Sequence, residues 1–470
     1  MLFSAKTFFS DMADKTIDMI GLGVSHTDLI FRLAEAGAQV TVCDRRAENQ
    51  LDGTLLARMK ASGIKTNLGP DYLDHLSGEI IFRTPGFPYL TPQLIAAKNR
   101  GQTVTSEMEV FLSLCPCPIY GVTGSDGKTT TSSLIAAMLR RTGKAVHLGG
   151  NIGTPLLPIL DKISENDLCV VELSSFQLIS MRQSPDISVI TNLSPNHLDI
   201  HKNMEEYIAA KCNILDHQDA FSRAILPMDN PLAAALSDRV RGSLTRFSSF
   251  APVENGTWMD EHGDIFHSIS GRSVRLFNRQ EVRLPGMHNI ENLLAAAAAC
   301  WGRVSPRDIA AVATSFTGVE HRIEFVDHID GVRWYNDSIA TSPTRMIAGL
   351  MSFDQKLIVI AGGYDKQIPF DPLVQPLLDH CKILILTGAT ADKIEAAVTG
   401  HPHFSQSGLE IIRADDLPNA VKKARKSAQE GDVVMLSPAC ASFDAYQNFE
   451  VRGLHFKELV SDLKKGGAPC

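Results

Sequence analysis

Short apolar runs, each closed by glycine or small polar residues, alternate with amphipathic stretches along this 470-residue chain. Residues 16–20 form such a run and stop at Gly21-Leu22-Gly23. A helical period follows over 29–36, stopped by Gly37, and 39–43 is the next strand, finishing at Asp44. This is a βαβ opening. The run 80–82 leads into Thr84-Pro85-Gly86 at the same edge of that sheet, and 105–114 reads as a linking helix. A second series has a strand ending over 118–120, a helix over 131–139, strands at 145–148, 168–171 and 187–190, and a helix over 204–215. Short alternating strands then fill 223–283, before a helix over 290–301. A third series, with strands at 331–335, 357–360, 383–386 and 433–436, starts after a boundary near Gly318-Val319-Glu320-His321-Arg322. A strand followed by a polar loop, repeated, predicts parallel sheets. The expected fold class is therefore α/β with three domains, 1–106, 107–317 and 318–470, the outer two Rossmann-like and the central one built on a parallel sheet.

The most specific turn is Gly121-Val122-Thr123-Gly124-Ser125-Asp126-Gly127-Lys128-Thr129-Thr130. Glycines between a strand and a helix aim several backbone N–H groups into one space, where the helix N-terminus adds partial positive charge. Lys128 can reach outer phosphates and the Thr129 hydroxyl can ligate Mg²⁺. Five residues, not four, separate Gly121 from Gly127, one more than the general phosphate-loop spacing. In parallel sheets ligands sit at the carboxyl ends of strands. The ends carrying Lys128 and Thr129, Glu172 and His197 can converge there on one nucleotide–metal site. The first turn is a weaker signal: His26 stands where a dinucleotide fingerprint would have its third glycine, so nicotinamide binding rests on a lone G-x-G. Arg45 and Arg46 either face a phosphate or form a solvated pair. Lys211, read from its helix alone, is a solvated lysine.

Composition changes this picture little. Hydrophobic content of 44% with 21% charged residues is that of a soluble globular enzyme, and a net charge of −8 gives no electrostatic reason to expect nucleic acid or an anionic membrane. Anionic substrates must then be held by local groups. Nine cysteines without a framework pattern suggest reduced thiols and a cytoplasmic chain, and Cys115-Pro116-Cys117 lacks a zinc-pair spacing. Residues 1–14 lack the apolar core of a signal peptide, and no stretch approaches a membrane span.

The order of motifs resembles the Mur ligases, the ATP-dependent amide-forming enzymes of bacterial peptidoglycan precursor synthesis. The pieces are Gly124-Ser125-Asp126-Gly127-Lys128-Thr129-Thr130, Glu172, Asn196-His197-Leu198-Asp199, Lys211, His288-Asn289-Ile290-Glu291-Asn292, His321-Arg322 and Asn336-Asp337-Ser338. Three stretches, 172–178, 436–444 and 448–453, look most like the branch that adds D-glutamate. A diamino-acid-adding relative would be expected to carry an Asp-Asn-Pro-Arg-like run in its last domain, and none is present.

The resemblance implies an N-terminal domain gripping a uridine nucleotide, a central ATPase domain and a C-terminal domain that takes the amino acid and closes. It implies ATP and Mg²⁺, two ions, as cofactors, and UDP-N-acetylmuramoyl-L-alanine and D-glutamate as substrates of a cytoplasmic monomer. Lys128, His197 and Lys211 would be catalytic. Gly124, Ser125, Asp126, Gly127, Lys128, Thr129, Thr130, Asn289, Asn292, Arg322 and Asp337 would bind ATP. Thr129, Glu172, His197 and Lys211, the last as a carbamate, would serve the metal, since a hard ion prefers oxygen. Ser25, Asp44, Arg45, Gly86, Asn151 and His197 would hold the UDP substrate. Thr341, Lys366, Ser437 and Phe443 would surround D-glutamate, whose two carboxylates suit a lysine and hydroxyls.

One departure is expected to matter. The family pattern Asn-Asp-Ser-Lys-Ala-Thr stands here as Asn336-Asp337-Ser338-Ile339-Ala340-Thr341, with Ile339 in place of the lysine. Either the enzyme is slower, or another cation such as Lys366 compensates. Competing readings are a ligase of the same plan with another amino acid, and a nucleotide-binding relative without catalysis.

Overall fold

The computed structural model describes residues 4–195 and 202–465. Its three sheets fall one in each of the three expected intervals. The first holds β1 (Thr16–Ile20), β2 (Gln39–Asp44), β3 (Lys65–Leu68), β4 (Ile80–Arg83) and β5 (Thr103–Thr105), all parallel, in the order β3-β2-β1-β4-β5. The order reverses between β1 and β4, so the turns after these strands flank a topological switch point, where such sheets take ligands. The helix between β1 and β2 spans Val24–Glu35, starting five residues before the expected 29, because the polar run Ser25-His26-Thr27-Asp28 gives no apolar period. The linking helix spans Glu107–Leu114; Thr105, expected to open it, ends β5, and the Ser106 side chain caps the helix by accepting from Glu109 N.

The second sheet holds β6 (Ile119–Thr123), β7 (Val146–Gly150), β8 (Leu168–Glu172), β9 (Ile187–Ile190), β10 (Arg223–Pro227), β11 (Ser243–Ser248), β12 (Gly256–Met259), β13 (Asp264–Ile269) and β14 (Arg272–Asn278). Its order is β14-β13-β12-β11-β10-β9-β6-β8-β7. The strands from β7 across to β12 pair in parallel, and β13 and β14 turn antiparallel. β6 lies inside this sheet and is buried at every residue, as expected of a parallel strand covered on both faces. The helix Met287–Cys300 carries five alanines, Ala295 to Ala299, that are all fully buried.

The third sheet holds β15 (Glu324–Ile329), β16 (Val332–Asn336), β17 (Leu357–Ala361), β18 (Cys381–Leu386), β19 (Glu410–Arg413) and β20 (Val433–Leu436), in the order β15-β16-β20-β17-β18-β19. Only β15 runs antiparallel. Packing gathers the chain into two compact units, Met1–Arg279 with Ile290–Ala313, and Gln280–Asn289 with Thr314–Cys470. No helix among the described residues is long and apolar enough to cross a membrane.

Candidate active site

Gly121, expected to open the phosphate turn, lies inside β6. A Cβ there would come within 2.2 Å of Pro185 Cγ, so its missing side chain serves sheet packing and accounts for the extra residue in the spacing. The turn itself is Gly124-Ser125-Asp126-Gly127. Gly124 has φ 154°, and Gly127, at φ 77°, caps the helix Lys128–Arg140. A Cβ on Gly124 would meet Thr191 Oγ1 at 1.9 Å, and one on Gly127 would meet Asn292 Oδ1 at 2.1 Å. Only glycine fits either place.

The loop after β9 pins this turn. Asn192 Oδ1 accepts from Asp126 N at 2.9 Å, and Thr191 Oγ1 donates to Asp126 O at 2.6 Å. The Ser125 hydroxyl is 3.0 Å from Tyr207 OH and accepts from Ser194 N at 2.9 Å, so it braces the turn from behind. Thr131 Oγ1 donates to Asn292 Oδ1 at 3.2 Å, which sets Asn292 beside the first helical turn, where Thr130 also sits.

Two lysines converge on the mouth of β6. Lys128 Nζ donates to Gly124 O and Ser125 O at 2.9 and 2.8 Å. Lys211, on the helix Met204–Asp216, donates to Gly124 O at 2.7 Å and Thr123 Oγ1 at 3.3 Å. Lys211 is only 2% exposed, which overturns the solvated-lysine reading. Burial, then the charge of Lys128, push its pKa down to about 7 against the opposing pull of Glu172 and Asp126. Glu172, at the end of β8, gathers two further expected residues. Thr129 Oγ1 donates to Glu172 Oε2 at 2.7 Å, and Asn151 Nδ2 donates to Oε1 at 2.8 Å. His197, with Asn196, Leu198 and Asp199, lies outside the described residues.

These groups fit ATP and a magnesium ion. The turn is a cradle that side chains would fill, Lys128 roots at its helix N-terminus, and Thr129, Glu172 and Asn151 supply the oxygen donors a hard ion takes.

The residues expected at the uridine end sit at the carboxyl edge of the first sheet. Asp44 already holds its own loop: Oδ2 accepts from Leu22 N at 2.8 Å, and Arg46 pairs with both carboxylate oxygens. Burial opposes ionisation of Asp44, but Arg46 and two backbone amides outweigh it and hold its pKa to about 2. Of the two arginines, then, Arg46 is a structural clamp and Arg45 is exposed. His26 is fully buried, its Nδ1 2.9 Å from Gly21 O, and burial pushes its pKa to about 4. It closes the Gly21 turn from inside, while Ser25 stands in the first turn of its helix. Gly86 lines a cleft of about 300 Å³ with Phe87, Tyr89, Phe176 and Lys202.

The second unit brings its expected residues together in pairs. β16 and β20 are neighbours, so Asp337 and Ser437 leave adjacent strand ends, and Ser437 Oγ donates to Asp337 Oδ2 at 2.8 Å. Burial pushes Asp337 up to about 7 despite Ser437, the Ile323 N–H, Arg322 and Arg345. Arg322 is presented between His321 and Ile323, both at positive φ (64° and 43°), a rare backbone held by His321 N donating to Glu324 Oε2 and Ile323 N donating to Asp337 Oδ1. Lys366 Nζ donates to Thr341 O and Oγ1 at 3.1 and 3.2 Å. Phe443 meets Tyr364 edge-on at 5.8 Å between ring centroids. Asn289 Nδ2 donates to Pro285 O at 2.7 Å.

A model of the Mur ligase middle domain matches residues 122–300, and one of the Mur ligase glutamate ligase domain matches 321–440. The chain is 47% identical over 460 residues to the UDP-N-acetylmuramoylalanine--D-glutamate ligase of Acetivibrio thermocellus, covering 97% of this chain and 98% of that one. The chain belongs to the Mur ligase family. Ligases of the same name from Clostridium acetobutylicum and Clostridium novyi are 44% and 45% identical, over 97% of this Mur ligase and 98% and 100% of their own lengths. Among solved structures, the fold of the UDP-N-acetylmuramate-alanine ligase of Thermotoga maritima is similar at TM-score 0.56 and 18% identity, covering 96% of this chain and 100% of that one. A UDP-N-acetylmuramoyl-L-alanyl-D-glutamate--2,6-diaminopimelate ligase is similar at TM-score 0.56 and 17% identity, covering 97% and 94%.

Several contributors to the site of this Mur ligase escaped the sequence reading. Thr191, Asn192 and Tyr207 carry no motif of their own and are recognised by what they brace. Arg452, 4% exposed, donates to Ser338 Oγ and O and to the carbonyls of Cys440 and Ala441, tying the loops after β16 and β20 together. Arg345 donates to Ile339 O at 3.3 Å, which puts a cation beside the residue where the sequence pattern leads to the expectation of a lysine.

Proposed function

We propose that this Mur ligase joins D-glutamate to UDP-N-acetylmuramoyl-L-alanine, with ATP consumed to ADP and phosphate, in bacterial peptidoglycan precursor synthesis. The observation that carries the reading is identity of 47% along essentially its whole length with a ligase named for that reaction. The chain is read as cytoplasmic and monomeric, with domains 1–106, 107–317 and 318–470 for the nucleotide sugar, ATP and the amino acid.

A carboxylate resists amine attack at neutral pH. Phosphorylation by ATP with magnesium turns it into an acyl phosphate, which an amine can open. The chain supplies the fixed charges this needs. Lys128 leaves its carbonyl partners for the phosphates, and the N–H groups of Gly127 to Thr130, at the helix start, receive them. Thr129, Glu172 and Asn151 hold a shared oxygen face, and the family resemblance adds His197 as a further metal ligand. With its pKa pushed down to about 7, Lys211 has a substantial neutral-amine fraction at neutrality, the form that adds carbon dioxide to become a carbamate. Asn289, Asn292, Arg322 and Asp337 position the nucleotide. Ser25, Asp44, Arg45, Gly86 and Asn151 serve the uridine substrate, Asp44 by shaping its loop. Thr341, Lys366, Ser437 and Phe443 receive the amino acid, with Lys366 and Ser437 facing its carboxylates.

Phosphate release measured with the UDP-muramoyl-alanine precursor across an amino-acid panel tests the reading. Release with D-glutamate and not with L-glutamate, L-alanine or a diamino acid is expected. A different preferred amino acid moves the chain to another branch of the family, and ATP binding without precursor-dependent release makes it a non-catalytic relative.

A further inference from the structure

Far from the phosphate turn, three thiols meet. Cys115 and Cys117 place their Sγ atoms 3.7 Å apart, and Cys169 comes within 3.6 Å of the first and 3.5 Å of the second. The spacing Cys115-Pro116-Cys117 carries no zinc signature because the third sulfur arrives from 52 residues away, on β8. Cys115 ends the linking helix, Pro116 turns the chain, and Cys117 stands just ahead of β6. Strand register then sets Ile119, Cys169 and His147 in one row across β6, β8 and β7.

The separations are those of a thiolate metal site. A tetrahedral zinc ion with Zn–S bonds of about 2.3 Å sets its sulfurs about 3.8 Å apart. The three atoms need move only by about 0.3 Å to match. A polar pair borders the cluster on the same row: His147 Nε2 is 3.0 Å from Asp167 Oδ2, His147 acts electrostatically on Cys115, and Asp167 acts on Cys117. Cys115 is partly exposed and Pro116 lines an open surface cleft, so an ion has a way in.

We propose that Cys115, Cys117 and Cys169 form a binding site for a thiophilic divalent metal ion of the zinc class, with the fourth position open to water. Binding releases the thiol protons to solvent. The ion would tie the linking helix to the entry of β6 and to β8, the strands that end at Thr123 and Glu172. Its role is structural, outside the ligase chemistry.

The test uses the full-length protein, reduced and freed of metal, then incubated with zinc or cobalt(II) and desalted. Elemental analysis is expected to find one ion per chain, and cobalt is expected to give intense thiolate charge-transfer absorption in the near ultraviolet. Retention should fall about tenfold or more in Cys115→Ser and in Cys169→Ser. Cys300→Ser, a buried cysteine elsewhere in the unit, should retain the ion. Substoichiometric retention, or equal retention in every variant, overturns the proposal. So does a reduced protein that takes up no metal but forms a disulfide among these cysteines under mild oxidation.

Discussion

Lys211 and Lys128 donate to the same acceptor, the carbonyl oxygen of Gly124, at 2.7 and 2.9 Å. Two ammonium groups crowded onto one oxygen in a buried place cannot both hold their protons easily, and Lys211, the deeper of the two, gives way. This lysine is therefore chemically distinct from a solvated surface lysine. With labelled bicarbonate, one carbamate carbon resonance is expected at neutral pH, absent in Lys211→Arg. That variant should also lose activity by about a hundredfold. A wild-type protein with no such resonance and no response to carbon dioxide contradicts the assignment.

The same shift fixes a pH dependence of stability. The folded-state pKa of about 7 lies below the ordinary lysine value, so the unfolded chain binds the extra proton between the two. Below about pH 7 both states are protonated and the full cost of the buried charge is present. Stability from this group rises as pH climbs through the window above 7. In carbon-dioxide-free buffer, Lys211→Met is expected to flatten that rise in denaturant midpoints measured from pH 6 to 9. An unchanged slope contradicts it.

The glycines of the phosphate turn divide by function. Gly127→Ala puts a Cβ onto Asn292 at a left-handed backbone position and should weaken ATP binding at least about tenfold, or ~1.4 kcal/mol. Gly121→Ala should instead lower the melting temperature through its clash with Pro185, and the ATP affinity of the remaining folded protein should be little changed. Calorimetric titration with a nonhydrolysable ATP analogue, alongside melting curves, separates the two.

The parts of the molecule that could be read beforehand were those buried on two sides. β1, β9 and β20 match the expected strands at both ends because each mainly apolar stretch stops at a glycine or small polar residue, Gly21, Thr191 and Ser437. β3, β5 and β19 escaped because they are short, end-of-sheet strands or neighbours of polar turns: Lys65-Thr66-Asn67-Leu68 has no apolar run to find. Motif chemistry located Thr129, Asn151 and Glu172, and the structure adds that one carboxylate joins them. Side-chain burial was not legible. Nothing in the sequence around Lys211 separates a buried amine from a solvated one, and nothing around Cys169 points to Cys115.

Where the sequence pattern leads to the expectation of a lysine, Arg345 donates to the isoleucine's own carbonyl and acts on Asp337, while Arg452 and Lys366 hold the flanking Ser338 and Thr341. Arg345→Ala is expected to lower kcat/KM about tenfold, ~1.4 kcal/mol of transition-state stabilisation, and Ile339→Lys is expected to restore most of it in the double variant. Full activity in Arg345→Ala would leave compensation to Lys366.

Glu172 binds Thr129 and Asn151 at once, so its loss should be felt by both. Glu172→Gln keeps the shape but removes the charge, and should raise the magnesium concentration needed for half-maximal rate while cutting kcat by about a hundredfold or more. A normal magnesium dependence would remove it from the metal's surroundings.

Carboxyl activation is the claim on which the account turns, and it can be followed by atoms. UDP-N-acetylmuramoyl-L-alanine carrying heavy oxygen in its alanine carboxylate is supplied with ATP and D-glutamate, and the released phosphate is analysed by mass. If the carboxylate attacks the terminal phosphorus and the amine then opens the acyl phosphate, each phosphate released carries one heavy oxygen. Phosphate without the label would mean that water, not the carboxylate, receives the phosphoryl group, and would contradict the mechanism.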